Sequence, residues 1–236
     1  MPKLGKLTLN GTPRVAVSVK DKVSPASLKS IKRYGVDIVE IRIDLYSSFN
    51  EEYVLNEIWK LGSYPCIATI RSKREGGRWS LSEERRKDLF MTVLPYVDGI
   101  DIELSSREIL KDIVRSAHKA KKLVIISHHD FKKTPSVTKL SQILQKAKTA
   151  GADIVKIAAM AVKSKDVEKL AGFTLAHRSK KIITVAMGKA GAISRVFFPA
   201  LGSLVTYASL GSPTAPGQMD YHKTVNLLKK ILPSRS

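Results

Sequence analysis

The chain is expected to be an α/β protein, one closed barrel of eight βα units, on three observations. Short β-rich runs alternate with amphipathic helical stretches from one end to the other, the pattern of repeated βα units on a parallel sheet. Eight such runs can be read, at intervals of about 20 to 33 residues that each leave room for a helix. The length of 236 residues suits a (β/α)8 TIM barrel, which commonly takes about 250. One domain spanning residues 1–236 is expected, with no linker, repeat or low-complexity segment.

The strands are expected at Arg14 to Lys20, Val36 to Leu45, Pro65 to Arg71, Gly99 to Leu104, Leu123 to His129, Ala152 to Ala158, Ile182 to Met187 and Ser203 to Tyr207. The helices between them carry start and stop signals. Ser24-Pro25 ahead of Leu28 and Ile31, with Gly35 after, supplies an N-cap, a first-turn proline and a terminating glycine. Asn50 with Glu51 and Glu52 places negative charge at the next helix start, and Gly62 ends it. Ser80 to Glu83 and Ser105 to Glu108 each read as a capping box. Ser136 to Gly151 puts Leu140, Ile143, Leu144 and Ala147 on one face. Helices from Ser164 to about His177 and from Gln218 to Leu232 complete the set, while Ser194 to about Ala200 holds only a short one.

Composition narrows the function classes. The chain is 43% hydrophobic and 26% charged, enough for a sizeable core. The single cysteine, Cys66, excludes an intrachain disulfide framework and fits a reducing cytosol. The opening residues lack a signal-peptide apolar core, and no run approaches membrane-spanning length, so a cytoplasmic protein is expected with no membrane partner. The formal net charge of +20 would suit nucleic acid, yet the lysines are scattered in pairs and aromatics do not alternate with them. A solvated basic surface that draws small anions is the better reading, with no nucleic-acid partner.

Strand parity locates the chemistry. Side chains alternate across a strand, so Val39, Ile41 and Ile43 form a face for helices to cover, while Glu40, Arg42 and Asp44 turn inward with Ile38. The same argument turns inward Thr69 and Arg71, Asp101 and Glu103, Ser127 and His129, and Lys156 between Ile154 and Ala158. A lysine within an apolar strand is unusual. Burial in an apolar setting generally lowers an amine's pKa and leaves it nucleophilic, although an edge lysine snorkelling to water is the bland alternative. Charges at the C-terminal ends of several barrel strands lie on the rim where such folds place their active sites, and they would be costly as mere structure.

His128-His129-Asp130 resembles a metal cluster at first sight, but neighbouring strand residues point to opposite faces, so the two imidazoles are poorly placed to share an ion. His129 reads as an acid/base group and His128 as packing or hydrogen bonding. Two glycine-rich loops, Gly188 to Arg195 and Gly211 to Gln218, follow the last strands. Ordinary turns are one reading. The other is an anion site with Arg195 as carboxylate clamp, under a lid carrying Thr214 and Gln218.

Seven segments in this order resemble the type I 3-dehydroquinate dehydratases: Val39 to Asp44, Arg71 to Gly77, Asp101 to Leu104, Ser127 to Phe131, Asp153 to Ala158, Met187 to Arg195 and Ala215 to Gln218. The resemblance covers roughly residues 14 to 225. It implies a lyase of the shikimate pathway that acts on 3-dehydroquinate, a small-molecule substrate, through a lysine Schiff base, as a homodimer and with no cofactor. It implies that Lys156 forms the imine, that His129 moves the proton, and that Glu103 orients and charge-balances His129. Arg195 would bind the substrate carboxylate, and Glu40, Arg42, Arg71, Thr214 and Gln218 would bind its hydroxyls or close over it; Glu75 and Met187 match positions near the pocket. Against the family pattern, His128 stands where an aromatic such as tyrosine is common, Val185 replaces a methionine and Thr214 a serine. The competing readings are a class I Schiff-base aldolase on the same kind of barrel and a basic nucleic-acid-binding protein.

Overall fold

The computed structural model describes residues 2–9 and 12–232. Two short antiparallel strands come first, β1 (Lys3–Leu4) and β2 (Leu7–Thr8). Eight βα units follow: β3 (Arg14–Val19) and α1 (Pro25–Tyr34), β4 (Ile38–Arg42) and α2 (Glu51–Trp59), β5 (Cys66–Thr69) and α3 (Glu83–Val93), β6 (Gly99–Glu103) and α4 (Arg107–Lys119). The second four are β7 (Leu123–Asp130) and α5 (Val137–Thr149), β8 (Ile154–Met160) and α6 (Ser164–Ala176), β9 (Ile182–Met187) and α7 (Ser194–Leu201), β10 (Val205–Ser209) and α8 (Tyr221–Ile231).

All adjacent pairings from β10 through β3 to β9 are parallel and follow chain order, the connectivity of a (β/α)8 TIM barrel. The remaining seam, between β9 and β10, is held otherwise. Leu204 N donates to Ile182 O at 3.0 Å, and Ser203 Oγ accepts from Thr184 N at 3.1 Å. Higher up, Ser194 Oγ accepts from Ala186 N and donates to Ala186 O, both at 3.1 Å, while Thr206 Oγ1 donates to Arg195 O at 2.7 Å. The start of α7 is thereby stitched into the seam where the two strands diverge, with buried backbone groups satisfied by hydroxyls.

The core has two layers. Val15, Val17, Val39, Ile41, Ile100, Ile102, Val155 and Ile157 face the helices. Ala16, Ile38, Ile67, Leu123, Ile125, Ile154 and Ile183 fill the interior together with Leu4 and Leu9 of the N-terminal segment. Leu4 lies so near Gly99, the first residue of β6, that a Cβ there would meet its Cδ1 at 2.8 Å. The hairpin segment thus stops the barrel at the N-terminal ends of its strands. Moving toward the C-terminal ends, the interior changes within two residues from Ile38 to Glu40 and from Ile154 to Lys156.

Several boundaries differ from the sequence expectation for local reasons. β4 ends at Arg42, and Ile43–Leu45 turns into one turn of 3-10 helix that carries Asp44 off the strand. β5 stops at Thr69, leaving Arg71 in the loop beyond it. Neither expected capping box forms. Ser82, not Ser80, caps α3 by accepting from Arg85 N, and at α4 the hydroxyls of Ser105 and Ser106 bond to Glu75 and Glu103 instead of the helix. The last helix begins at Tyr221 behind the Asp220 cap, not at Gln218. α1 is capped by Ser24 as read from the sequence, and Asn50 and Ser136, read there as helix starts, cap α2 and α5.

Candidate active site

A cavity opens at the C-terminal ends of the strands. Its lining brings together Glu40, Arg42, Arg71, Glu75, His129, Lys156, Met187, Arg195, Thr214 and Gln218 from segments spread across the chain, with Ser18, Val185 and Tyr207 among them.

Lys156 sits within β8, which runs on to Met160, so it lies deeper in the barrel than the expected strand end. It is 6% exposed, and its setting is not the apolar one expected from the strand. Nζ donates to Asp101 Oδ2 at 2.8 Å and to Glu40 Oε1 at 3.2 Å, and it stands 3.9 Å from the ring centroid of Tyr207. Both carboxylates are braced in turn. Glu40 accepts from Ser18 Oγ and from Thr69 Oγ1, and Asp101 accepts from Arg71 Nη2 at 2.9 Å and Ser127 Oγ at 2.6 Å. Burial pushes both carboxyls up, but the positive charges beside them win: Lys156 and Arg42 hold Glu40 below its ordinary range, and Arg71 and Lys156 hold Asp101 far below it.

His129, on the inward face of β7, faces Glu75 from a single 3-10 turn at Lys73–Glu75. Glu75 Oε2 accepts from His129 N at 2.8 Å and lies 3.0 Å from Nδ1. Burial, joined by the positive charge of Arg71, lowers the imidazole to about 4 despite this carboxylate, so it is neutral near pH 7. With Nδ1–H directed at Glu75, Nε2 keeps a free lone pair, the arrangement of a general base. Burial raises Glu75 as well, but the contact with His129 outweighs it and leaves the carboxyl below its ordinary range.

Glu103 does not take the expected place beside His129. It is fully buried behind Arg71, and it does not line the cavity. Its oxygens accept from Ser72 N at 2.9 Å, Arg86 Nη2 at 3.0 Å and Ser106 Oγ at 2.8 Å, with Arg71 Nη1 at 3.3 Å. The carboxylate against the imidazole is that of Glu75. The loop that presents it is pinned by Gly77, where a Cβ would lie 2.0 Å from Arg71 O.

Arg42 and Arg71 reach the cavity wall already engaged, Arg42 with both oxygens of Asp44 at 2.9 and 2.8 Å and Arg71 with Asp101 and Ser127. Arg195 differs. It is 2% exposed, and among the described residues its guanidinium makes one hydrogen bond, from Nη2 to Pro216 O at 3.3 Å, while Nε has no partner. Burial lowers this guanidinium to about 10, with Glu40 opposing only in part, so it remains a cation near neutrality with spare donors. The tight turn that aims it needs Gly191, where a Cβ would meet Ala186 O at 2.4 Å. Over the cavity, Gln218 Oε1 accepts from Thr214 N at 2.7 Å and Thr214 Oγ1 at 3.0 Å, and Gln218 Nε2 donates to Ala208 O at 3.0 Å, so the two polar residues brace the loop against β10. Met187 and Val185 give the apolar side.

Asp101 and Tyr207 received no role from the sequence. Parity did turn Asp101 inward, and the same period of two along Ser203 to Tyr207 was the signal available for Tyr207. Among the described residues, no three histidine, cysteine or acidic side chains are grouped to hold a metal, and no helix is long and apolar enough to cross a membrane.

Residues 15–233 match the type I 3-dehydroquinase family. The chain is 36% identical over 236 residues to the 3-dehydroquinate dehydratase of Methanococcoides burtonii, covering 97% of this chain and 100% of that one. It is 38% identical over 220 residues to that of Methanocaldococcus jannaschii, covering 90% and 94%. Among solved structures, the Aquifex aeolicus 3-dehydroquinate dehydratase superposes with a TM-score of 0.83 at 36% identity, over 94% of this chain and 100% of that one. The Clostridium difficile type I enzyme, with covalently modified comenic acid, gives a TM-score of 0.86 at 32% identity over 94% and 93%. With the barrel, the buried lysine and the histidine–carboxylate pair in place, these matches show that the chain belongs to the type I 3-dehydroquinase family.

Proposed function

We propose that the protein is a hydro-lyase converting 3-dehydroquinate to 3-dehydroshikimate and water through a Schiff base on Lys156, in the shikimate route to aromatic amino acids. The observation that carries the reading is a buried amine sharing one cavity with a neutral imidazole and an under-bonded guanidinium. The amine of Lys156, once it has given up a proton, adds to the substrate ketone; a C–N bond forms and water leaves, giving a protonated imine. That imine is an electron sink, so the neighbouring C–H becomes acidic and His129 Nε2 takes its proton. The resulting enamine expels the hydroxyl, to which the imidazolium returns the proton, and a second water leaves. Hydrolysis consumes one water and frees the lysine, for a net loss of one.

Glu75 holds the imidazole tautomer and balances its charge when protonated. Asp101 and Glu40 position Nζ. Arg195 takes the substrate carboxylate as a charge-assisted pair, while Thr214 and Gln218 close over the ring. The reaction requires no metal or redox cofactor, since the imine supplies the sink. The whole chain acts as one catalytic domain, in the cytoplasm and as a homodimer; exposed Ile193 and Phe197, one turn apart at the start of α7, support an apolar contact between copies. The partner is a small anion and not nucleic acid, in keeping with scattered lysines.

Borohydride added during turnover tests the mechanism. One adduct retaining the whole substrate skeleton is expected on the peptide containing Lys156, lost together with activity in Lys156→Ala. His129→Ala should keep the adduct and lose about 10² to 10⁴ in rate. An adduct on another lysine, or full activity without Lys156, would refute the assignment, and a shortened adduct would indicate aldol cleavage.

A further inference from the structure

Tyr207 is 4% exposed on β10 and lines the cavity, yet its phenol oxygen has no hydrogen-bond partner. A buried hydroxyl without a partner is a cost that phenylalanine in the same space avoids. The neighbouring acceptors are occupied: Glu40 by Ser18, Thr69 and Lys156, and Asp101 by Arg71, Ser127 and Lys156. Burial holds the phenol well above its ordinary pKa, so the group is a donor and not an anion.

The ring makes a second contact, 3.9 Å from Lys156 Nζ to its centroid. This distance lies well within the range of a cation–π interaction, which is strongest where the cation is desolvated. The two kinds of contact at Nζ respond differently to imine formation. The free ammonium has three N–H donors and uses two of them on Asp101 and Glu40. A protonated imine retains a single N–H, so carboxylate hydrogen bonding at Nζ is reduced. Attraction to the ring face needs no N–H and persists.

We propose that Tyr207 is a further substrate-contacting residue, whose ring stabilises the cationic imine on Lys156 and whose O–H donates to a substrate oxygen beside the reacting carbonyl. The inference rests on the imine reading above and adds to it a group that favours the cationic imine over the uncharged amine from which it forms. It also gives the site a specificity element, since a substrate lacking that oxygen leaves the phenol unpaired in the closed cavity.

Two substitutions separate the parts. Tyr207→Phe keeps the ring and its packing; it should raise the KM for 3-dehydroquinate about tenfold while kcat and the borohydride-trapped fraction stay near wild type. Tyr207→Leu removes both groups and should lower kcat/KM by about a further tenfold, with a smaller fraction trapped at saturating substrate. An unchanged KM in Tyr207→Phe overturns the hydroxyl's role. Equal trapping in the Leu and Phe variants overturns the ring's role. Absence of any adduct in wild-type enzyme would overturn the imine reading and the ring's role with it, a result distinct from a normal wild-type adduct with unaffected variants. Unfolding midpoints recorded for both keep a folding defect from being read as lost binding.

Discussion

The two sides of the cavity are built on opposite terms. On the side of β4 to β8, the charges at the cavity are paired: Arg71 bridges Asp101 and Glu103, and Lys156 bridges Asp101 and Glu40. On the side of β9 and β10, the polar groups have donors to spare. Of the buried side-chain atoms without a partner among the described residues, those belonging to cavity-lining residues are Arg195 Nε and Tyr207 Oη, both on this side. The first side fixes the reacting groups before a ligand arrives, and the second presents donors that a ligand's oxygens complete. Pairing thus separates positioning from recognition within one barrel mouth.

The contrast can be broken most strongly on the paired side. Arg71→Leu leaves Asp101 and Glu103 buried without their shared cation, and urea unfolding should show a loss of about 3 to 5 kcal/mol. Arg195→Leu is the matched change on the other side. It removes a guanidinium with few bonds to lose, so stability should hold while the KM for 3-dehydroquinate rises about 10- to 100-fold, the range of one or two hydrogen bonds to a charged group. If both variants lost stability equally and bound substrate equally well, the division would not stand.

Titration sharpens the comparison further. His129 sits at about 4 in the folded protein against 6.5 for the ordinary side chain. The unfolded chain therefore takes up the proton first as pH falls. The neutral imidazole contributes its stability in full above about pH 6.5, and that contribution is lost as pH drops from there toward 4. The acid limb of kcat/KM in folded enzyme should accordingly lie near 4, below the ordinary imidazole range. The smallest effect is expected at the loop from Gly211 to Gln218, where amide exchange should slow on adding substrate as ligand contacts join the Thr214–Gln218–Ala208 brace. Unchanged exchange would exclude a closing lid.

How much of this was legible in the sequence depended on whether a residue's role was set by its strand or by its partners. Parity on β4, β7 and β8 turned Glu40, His129 and Lys156 inward, because a strand's period of two leaves little choice once one face is apolar. Parity could not tell which carboxylate faces His129. Glu103 had the right face of the right strand, but Arg86 arrives from α3 and claims it, while Glu75 reaches the imidazole from a short turn that no periodicity marks. The serines before α4 misled for the same reason: their spacing matched a helix cap, and their hydroxyls serve Glu75 and Glu103 instead. Lys156 was legible as buried but not as paired, since its partners lie 55 and 116 residues away.

The hairpin segment that seals the barrel floor with Leu4 and Leu9 makes the site a room with one door. Of the two waters released inside it, one can be spent on hydrolysing the product imine, so the opening has to pass substrate, product and one water. Turnover is then a matter of traffic: the opening that lets product out is also the one through which uncommitted substrate escapes.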